Sequence, residues 1–179
     1  MTAHKRAKKS TLRLSIFSSN LGWMALVTAG ETVRQLTFGH SSPSAAKRGI
    51  EPELLAAAEF VESETPLTRR LRAYASGNSD SFREVAVDLG RLSRFQRRVL
   101  EQCRRIPLGS TVSYSELAAR AGFPRAARAV GNCMAANRVP LIIPCHRVVR
   151  SDGRIGPYSA PGGTAMKRRL LALESQKLA

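Results

Sequence analysis

The chain has 179 residues, 43% of them hydrophobic, and its 29 Lys and Arg against 13 Asp and Glu give a formal net charge of +16 and a pI near 11.3. That length accommodates one large domain or two small ones around a real core, while the charge is far too basic for an ordinary metabolic enzyme and calls for a polyanionic partner, nucleic acid or an anionic membrane. No apolar run of about 18 residues is present, which excludes a bilayer-spanning helix and a membrane role of that kind; Cys103, Cys133 and Cys145 are an odd number without a CxxC pair, which argues against a disulfide framework and a zinc knuckle and fits a reducing, cytoplasmic setting, at the nucleoid or in the nucleus.

Residues 1–10 carry Lys5, Arg6, Lys8 and Lys9 and read as a disordered basic tail, solvated and suited to tethering on DNA. No apolar segment follows it, so it does not read as a secretory signal. Leu12–Phe17 and Thr32–Phe38 alternate and Trp23–Thr28 is apolar; with turns at Asn20-Leu21-Gly22 and Ala29-Gly30-Glu31 they predict a β-meander. Residues 41–49 read as a loop, Glu51–Glu62 as a helix, and Pro66–Ala75 as another helix with Leu67, Leu71 and Tyr74 on one face. Val85–Val87 reads as a last short strand. The predicted N-terminal α/β unit thus covers residues 11–90, and a mostly helical unit covers 91–179.

Ser93 caps a predicted helix over Arg94–Arg105, whose apolar face is Phe95, Val99, Cys103 and Ile106; Cys103 is a core residue on this reading. Ser113-Tyr114-Ser115-Glu116 is a capping box for a short helix over Ser115–Ala121. Gly122-Phe123-Pro124 breaks it, and Pro124 opens a second helix over Arg125–Ala136, giving a helix-turn-helix. On that second helix Ala126, Ala127, Ala129, Gly131, Ala135 and Ala136 are small. They fit either tight helix packing or close approach to a narrow groove, with Arg125 and Arg128 projecting toward DNA. Cys133 reads as packing.

Leu141-Ile142-Ile143 reads as a short buried strand leading to Pro144-Cys145-His146-Arg147-Val148-Val149. A cysteine next to an imidazole is well placed to be a nucleophile, because the thiolate is the reactive form. Adjacent side chains on a strand point to opposite faces, so the strand must end or turn at Cys145 if both residues are to serve one reaction. His4, His40 and His146 show no metal-ligand spacing, so neither a metal nor a cofactor is expected.

From Ser93 to Glu174 the chain resembles the C-terminal domain of the O6-alkylguanine-DNA alkyltransferases. The resemblance rests on ordered blocks: Phe95-Gln96-Arg97-Arg98-Val99, Ile106-Pro107-Leu108-Gly109, Thr111-Val112-Ser113-Tyr114, Ala126 to Gly131, Asn137, Ile143 to Val149, Gly156 to Ser159, and Leu170 to Glu174. It implies a ribonuclease-H-like fold for the N-terminal α/β domain and a minor-groove helix-turn-helix for the C-terminal one. It also implies that Cys145 accepts the alkyl group, His146 takes its proton through a water, Glu174 orients His146, and Tyr114 protonates the leaving guanine. By the same resemblance Arg128 replaces a flipped nucleotide in the base stack, and Arg125, Ser115, Ala127, Ala129 and Gly131 contact DNA. Asn137 pins the turn before Cys145, while Tyr158, Ser159 and the Val148 carbonyl line the base pocket.

The chemistry agrees: displacement at an ether carbon needs a soft anionic nucleophile and a proton for the departing oxygen. The thioether is stable, so each molecule acts once. The expected function is suicide repair of O6-alkylguanine in duplex DNA by a monomer. A lesion-binding protein without transfer activity is the main rival, and it lacks a reason to carry Cys145. A cysteine hydrolase leaves the basic charge without a role, and a DNA-binding regulator leaves Tyr114 and Glu174 unexplained.

Overall fold

The computed structural model describes residues 11–175; the basic tail predicted over 1–10 lies outside them. Strands β1 (Leu12–Phe17), β2 (Trp23–Ala29) and β3 (Thr32–His40) form the predicted antiparallel meander. The first turn requires glycine: Gly22 has φ 92, and a Cβ there would stand 2.9 Å from the His40 carbonyl oxygen.

Two expectations fail beside the sheet. Residues 41–49 are not all loop, since Pro43–Arg48 form helix α1. Ser42 accepts the Ala45 N–H at 3.1 Å, and Pro43 sits in the first turn, where its missing donor costs nothing. The helix expected over Glu51–Glu62 stops early: α2 is Pro52–Ala57, and Ala58–Phe60 are strand β4, parallel to β1 with Leu14 opposite Phe60. The open edge of β1 offers hydrogen-bond partners, and that pairing overrides the local helix preference of the Ala and Glu residues.

The sheet order is β3-β2-β1-β4. One face buries Leu14, Ala25 and Val27 beneath Ala46, Ile50 and Leu54. The other packs Leu26, Leu36 and Phe38 against Leu71 and Tyr74 of α3 (Pro66–Ala75), and against Val139, Leu141, Ile142 and Leu170 from the second half of the chain. The sheet and the helical half therefore share one core. The strand expected at Val85–Val87 is a single bridge to Val33, whose N–H donates to the Ala86 carbonyl at 2.8 Å. Further along the same edge the Leu36 N–H donates to the Arg138 carbonyl at 2.9 Å.

In the helical half, Ser93 caps α4 (Arg94–Arg104) through a reciprocal box with Gln96, and Cys103 is wholly buried in its core face, as predicted. Helix α5 (Tyr114–Arg120) has the expected Ser113–Glu116 box. Helix α6 is Ala127–Ala135 and starts later than predicted. The Ala126 N–H closes a turn on the Phe123 carbonyl at 3.0 Å, which leaves Arg125 ahead of the helix.

The run Leu141–Ile143 is buried but is no strand. Leu141 has φ 70, and the chain passes through turns into a 3-10 turn at Cys145–Arg147. Its apolar side chains fill core, and the Asn137 carboxamide, not a neighbouring strand, satisfies the Ile143 carbonyl at 2.8 Å. An apolar run reports burial; pairing needs an available edge. Strand β6 (Val148–Val149) then pairs in parallel with β5 (Val112–Ser113), and α7 (Gly163–Ser175) closes the fold.

Arg104, at the end of α4, holds the segment that joins the two halves. Its Nη2 donates to the carbonyls of Phe82 at 3.0 Å and Arg83 at 2.9 Å, and to that of Val85. Arg104→Ala should lower the unfolding free energy by about 2 kcal/mol, the scale of hydrogen bonds to a charged donor. The measurement is the urea midpoint at unchanged slope; an unchanged midpoint would mean that the bridge to Val33 holds this segment without Arg104.

Candidate active site

Cys145 is the first residue of the 3-10 turn, and three residues per turn send Cys145, His146 and Arg147 in three directions. This meets the requirement that the chain turn at the cysteine. The thiol faces a cleft of about 720 Å3, whereas His146 and Arg147 point into the protein, 0% and 2% exposed. Asn137 fixes the turn: its Nδ2 donates to the Ile143 carbonyl at 2.8 Å and to Cys145 Sγ at 3.2 Å, and its Oδ1 accepts the Val139 N–H at 3.1 Å. The Tyr158 hydroxyl lies 4.0 Å from Sγ. Burial raises the Cys145 pKa above the usual 9.0; the Asn137 and Tyr158 contacts and the Lys167 charge oppose it without cancelling it. The resting sulfur is a neutral thiol, and its reaction needs a base.

Behind the turn, His146 Nε2 donates to Glu174 Oε1 at 2.8 Å. Its Nδ1 is buried without a hydrogen-bond partner among the described residues. Burial lowers the His146 pKa below 6.5 against the pull of Glu174, so the ring is a neutral base at neutral pH. Arg147 grips the same carboxylate by two bonds, Nη2 to Oε1 at 2.8 Å and Nε to Oε2 at 2.9 Å, and its Nη1 reaches the Ile106 carbonyl at 2.7 Å. Burial pushes the Glu174 carboxyl up, but the hydrogen bonds and charges of His146 and Arg147 outweigh it and hold the group well below the usual carboxylate range.

Tyr114, the first residue of α5, stands across the cleft. Burial, and then negative charge on Cys145 when its thiolate forms, push its phenol above 10, so it is protonated. Lys167 Nζ lies 3.5 Å from its hydroxyl and donates to the Val148 carbonyl at 2.6 Å. Gly156 supports the ring closely, since a Cβ there would come within 3.0 Å of the Tyr114 oxygen.

Of the residues the sequence singled out, Cys145, Tyr114, Ser115, Ala127, Arg128, Gly131, Tyr158 and Ser159 line this one cleft. His146 and Glu174 lie behind it, and Val148 is buried with its carbonyl taken by Lys167. Asn137 touches the sulfur and lines a neighbouring cavity of about 490 Å3. Arg125 and Ala129 are exposed but line neither cavity. The small residues divide by burial: α6 packs through Val130, Cys133 and Met134, Ala126, Ala127 and Gly131 are half-buried, and Ala129, Ala135 and Ala136 face outward. A Cβ on Gly131 would meet only Tyr114, at 4.0 Å, so internal packing does not demand glycine there.

Sequence reasoning missed Arg147, Lys167 and Tyr74. Lys167 carried a signal, since it shares one face of α7 with Leu170 and Glu174 at i, i+3 and i+7, the buried stripe. Arg147 and Tyr74 gave none, as nothing local shows which carboxylate they meet. Among the described residues no group of three or more His, Cys, Asp or Glu is placed to hold a metal ion.

Fold and site together define a protein built around a cysteine nucleophile, with a His–Glu pair behind it and an arginine-bearing helix beside it. Comparison with known proteins narrows this. Residues 94–176 match the family model described as 6-O-methylguanine DNA methyltransferase, DNA binding domain. The mouse (Mus musculus) methylated-DNA–protein-cysteine methyltransferase is 39% identical over 184 residues, covering 94% of this chain and 83% of its own. Crystal structures of Mycobacterium tuberculosis O6-methylguanine methyltransferase (31% identity, TM-score 0.75, 92% and 93% of the two chains) and of M. tuberculosis OGT in complex with DNA (31%, TM-score 0.74, 92% and 94%) share the mixed α/β and helical fold. The chain belongs to the methylated-DNA–protein-cysteine methyltransferase family.

Glu174→Gln would leave the Arg147 guanidinium buried and half-paired. It should cost about 3 kcal/mol or more in a denaturant titration; a loss under about 1 kcal/mol would equate this pair with a surface salt bridge.

Proposed function

We propose that this protein repairs O6-alkylguanine in double-stranded DNA by transferring the alkyl group to Cys145, once per molecule. The observation that carries the reading is the position of the thiol: hydrogen-bonded by Asn137 at the cleft between Tyr114 and Tyr158, with a neutral imidazole behind it. Cys145 Sγ forms a bond to the alkyl carbon as the carbon–O6 bond breaks. The thiol proton passes to His146 through one water, and the Glu174 carboxylate, held in place by Arg147, stabilises the imidazolium. Tyr114 gives the departing guanine a proton, and the phenolate so formed faces the Lys167 ammonium. Tyr158 and Ser159 hold the base, while the Val148 carbonyl holds the Lys167 ammonium. The thioether has no leaving group the site could expel, which makes the reaction stoichiometric.

DNA is the partner, and we infer that it lies with its minor groove on α6. The outward small residues permit close approach, Arg125, Arg128, Ser115, Ala127, Ala129 and Gly131 supply contacts, and Arg128 fills the gap left by the extruded base. On this reading α5 and α6 are a helix-turn-helix. Residues 11–90 form a ribonuclease-H-like domain, a reading supported by three antiparallel strands followed by a strand parallel to β1, and residues 91–179 form the second domain. A monomer working in a reducing compartment fits a chemistry that consumes one free thiol per lesion.

Intact-protein mass after incubation with a duplex carrying one O6-methylguanine tests the reading. Expected is a gain of one CH2 on Cys145 with equal loss of lesion; tight binding without a mass change would make the chain a lesion sensor. Cys145→Ala should abolish transfer and keep DNA binding by gel shift, whereas loss of both would make the cysteine structural. Arg128→Ala should slow repair of duplex far more than reaction with the free base, because only the duplex pays for unstacking; equal slowing would remove Arg128 from the stack.

A further inference from the structure

Tyr74 belongs to α3, far from Cys145 in sequence, and is 2% exposed within the shared core. Phenylalanine would fill the same volume without the cost of desolvating a hydroxyl, so the hydroxyl calls for a reason. It donates to Glu174 Oε1 at 2.6 Å and lies 3.5 Å from His146 Nε2. That oxygen also accepts from His146 at 2.8 Å and from Arg147 at 2.8 Å. Three donors share one oxygen, and each takes part of its acceptor strength. This bears on the reaction, because a carboxylate that holds the imidazolium too tightly would leave His146 protonated and useless as a base.

We propose that Tyr74 is a positioning residue for alkyl transfer: its phenol fixes the Glu174 carboxylate and limits that carboxylate's hold on His146, so the ring is aligned yet free to accept a proton. The inference rests on the reading in which His146 receives the Cys145 proton. The titratable and charged groups that act on His146 are Glu174 and Lys167 from α7, Arg147 on its own turn, and the Tyr74 phenol of α3. Burial, then the Glu174 charge, push the Tyr74 phenol well above 10, so it remains a donor while the imidazole titrates. The sign is fixed: without the hydroxyl more of the Oε1 charge falls on His146, the imidazolium gains stability, and proton uptake moves to higher pH.

The test compares the full chain, Tyr74→Phe and Leu71→Ala, the last removing packing from the same helix but no hydrogen bond. His146 titration is followed by NMR on nitrogen-labelled histidine, and the single-turnover rate of alkyl transfer is measured against pH. Expected in Tyr74→Phe is a His146 midpoint higher by roughly half a unit, and a transfer rate that falls by a factor approaching roughly three on the acid side of that midpoint, with little change at pH 8. Leu71→Ala should lose stability without either shift. An unmoved midpoint in Tyr74→Phe, or an equal shift in Leu71→Ala, overturns the proposal while wild-type transfer still upholds the relay. A moved midpoint with no acid limb in the wild-type rate overturns the relay itself, and with it Tyr74's place in the reaction.

Discussion

The Glu174 carboxylate is the constraint on which this structure turns. It is 2% exposed and accepts from His146, Arg147, Tyr74 and the Gly109 N–H. Those partners lie on the active-site turn, on α3, and in the loop after α4, so one side chain joins three parts of the chain to α7. A buried carboxylate is tolerated only when its charge is paired and its lone pairs are filled. Satisfying it therefore dictates where the His146 ring and the Arg147 fork must stand. Cys145, on the same turn, is left facing the cleft. Position of the nucleophile follows from neutralisation of the charge behind it.

Much of this was legible before any coordinates. The meander, α3, α4 and the two short helices follow from alternation, period and caps, because those signals are local. The chemical centre was legible as well: Cys145, His146, Tyr114 and Glu174 come from a dense motif and a resemblance carried by ordered blocks. The failures share a cause. Ala58–Phe60 became strand because β1 had an open edge, and Leu141–Ile143 failed to become one because no edge was there. Arg125 fell outside α6 because a turn closed at Phe123. Tyr74 and Arg147 were invisible as functional residues because their meaning lies in a carboxylate that the fold alone brings to them.

The shared core explains why the sheet matters to a site whose residues nearly all come later in the chain. Phe38 and Tyr74 pack with Leu141, Ile142 and Leu170, and the Arg138 carbonyl takes the Leu36 N–H. The segment from Asn137 to Cys145 is thereby clamped against β3. Asn137 can hold the sulfur at 3.2 Å because the backbone on either side of it is immobilised by the sheet and by α7.

Helix α6 carries one more implication. Its outward face is mostly methyl groups and bare backbone, with Arg128 and Asn132 the exceptions. Such a face has few donors or acceptors to match against base edges, so it can register the width of a groove but not the letters within it. A protein bound in this manner would be indifferent to sequence and sensitive to how easily a base pair comes apart. It would find its target by sampling mechanical weakness along the duplex, leaving chemical identity to be checked later, inside the pocket.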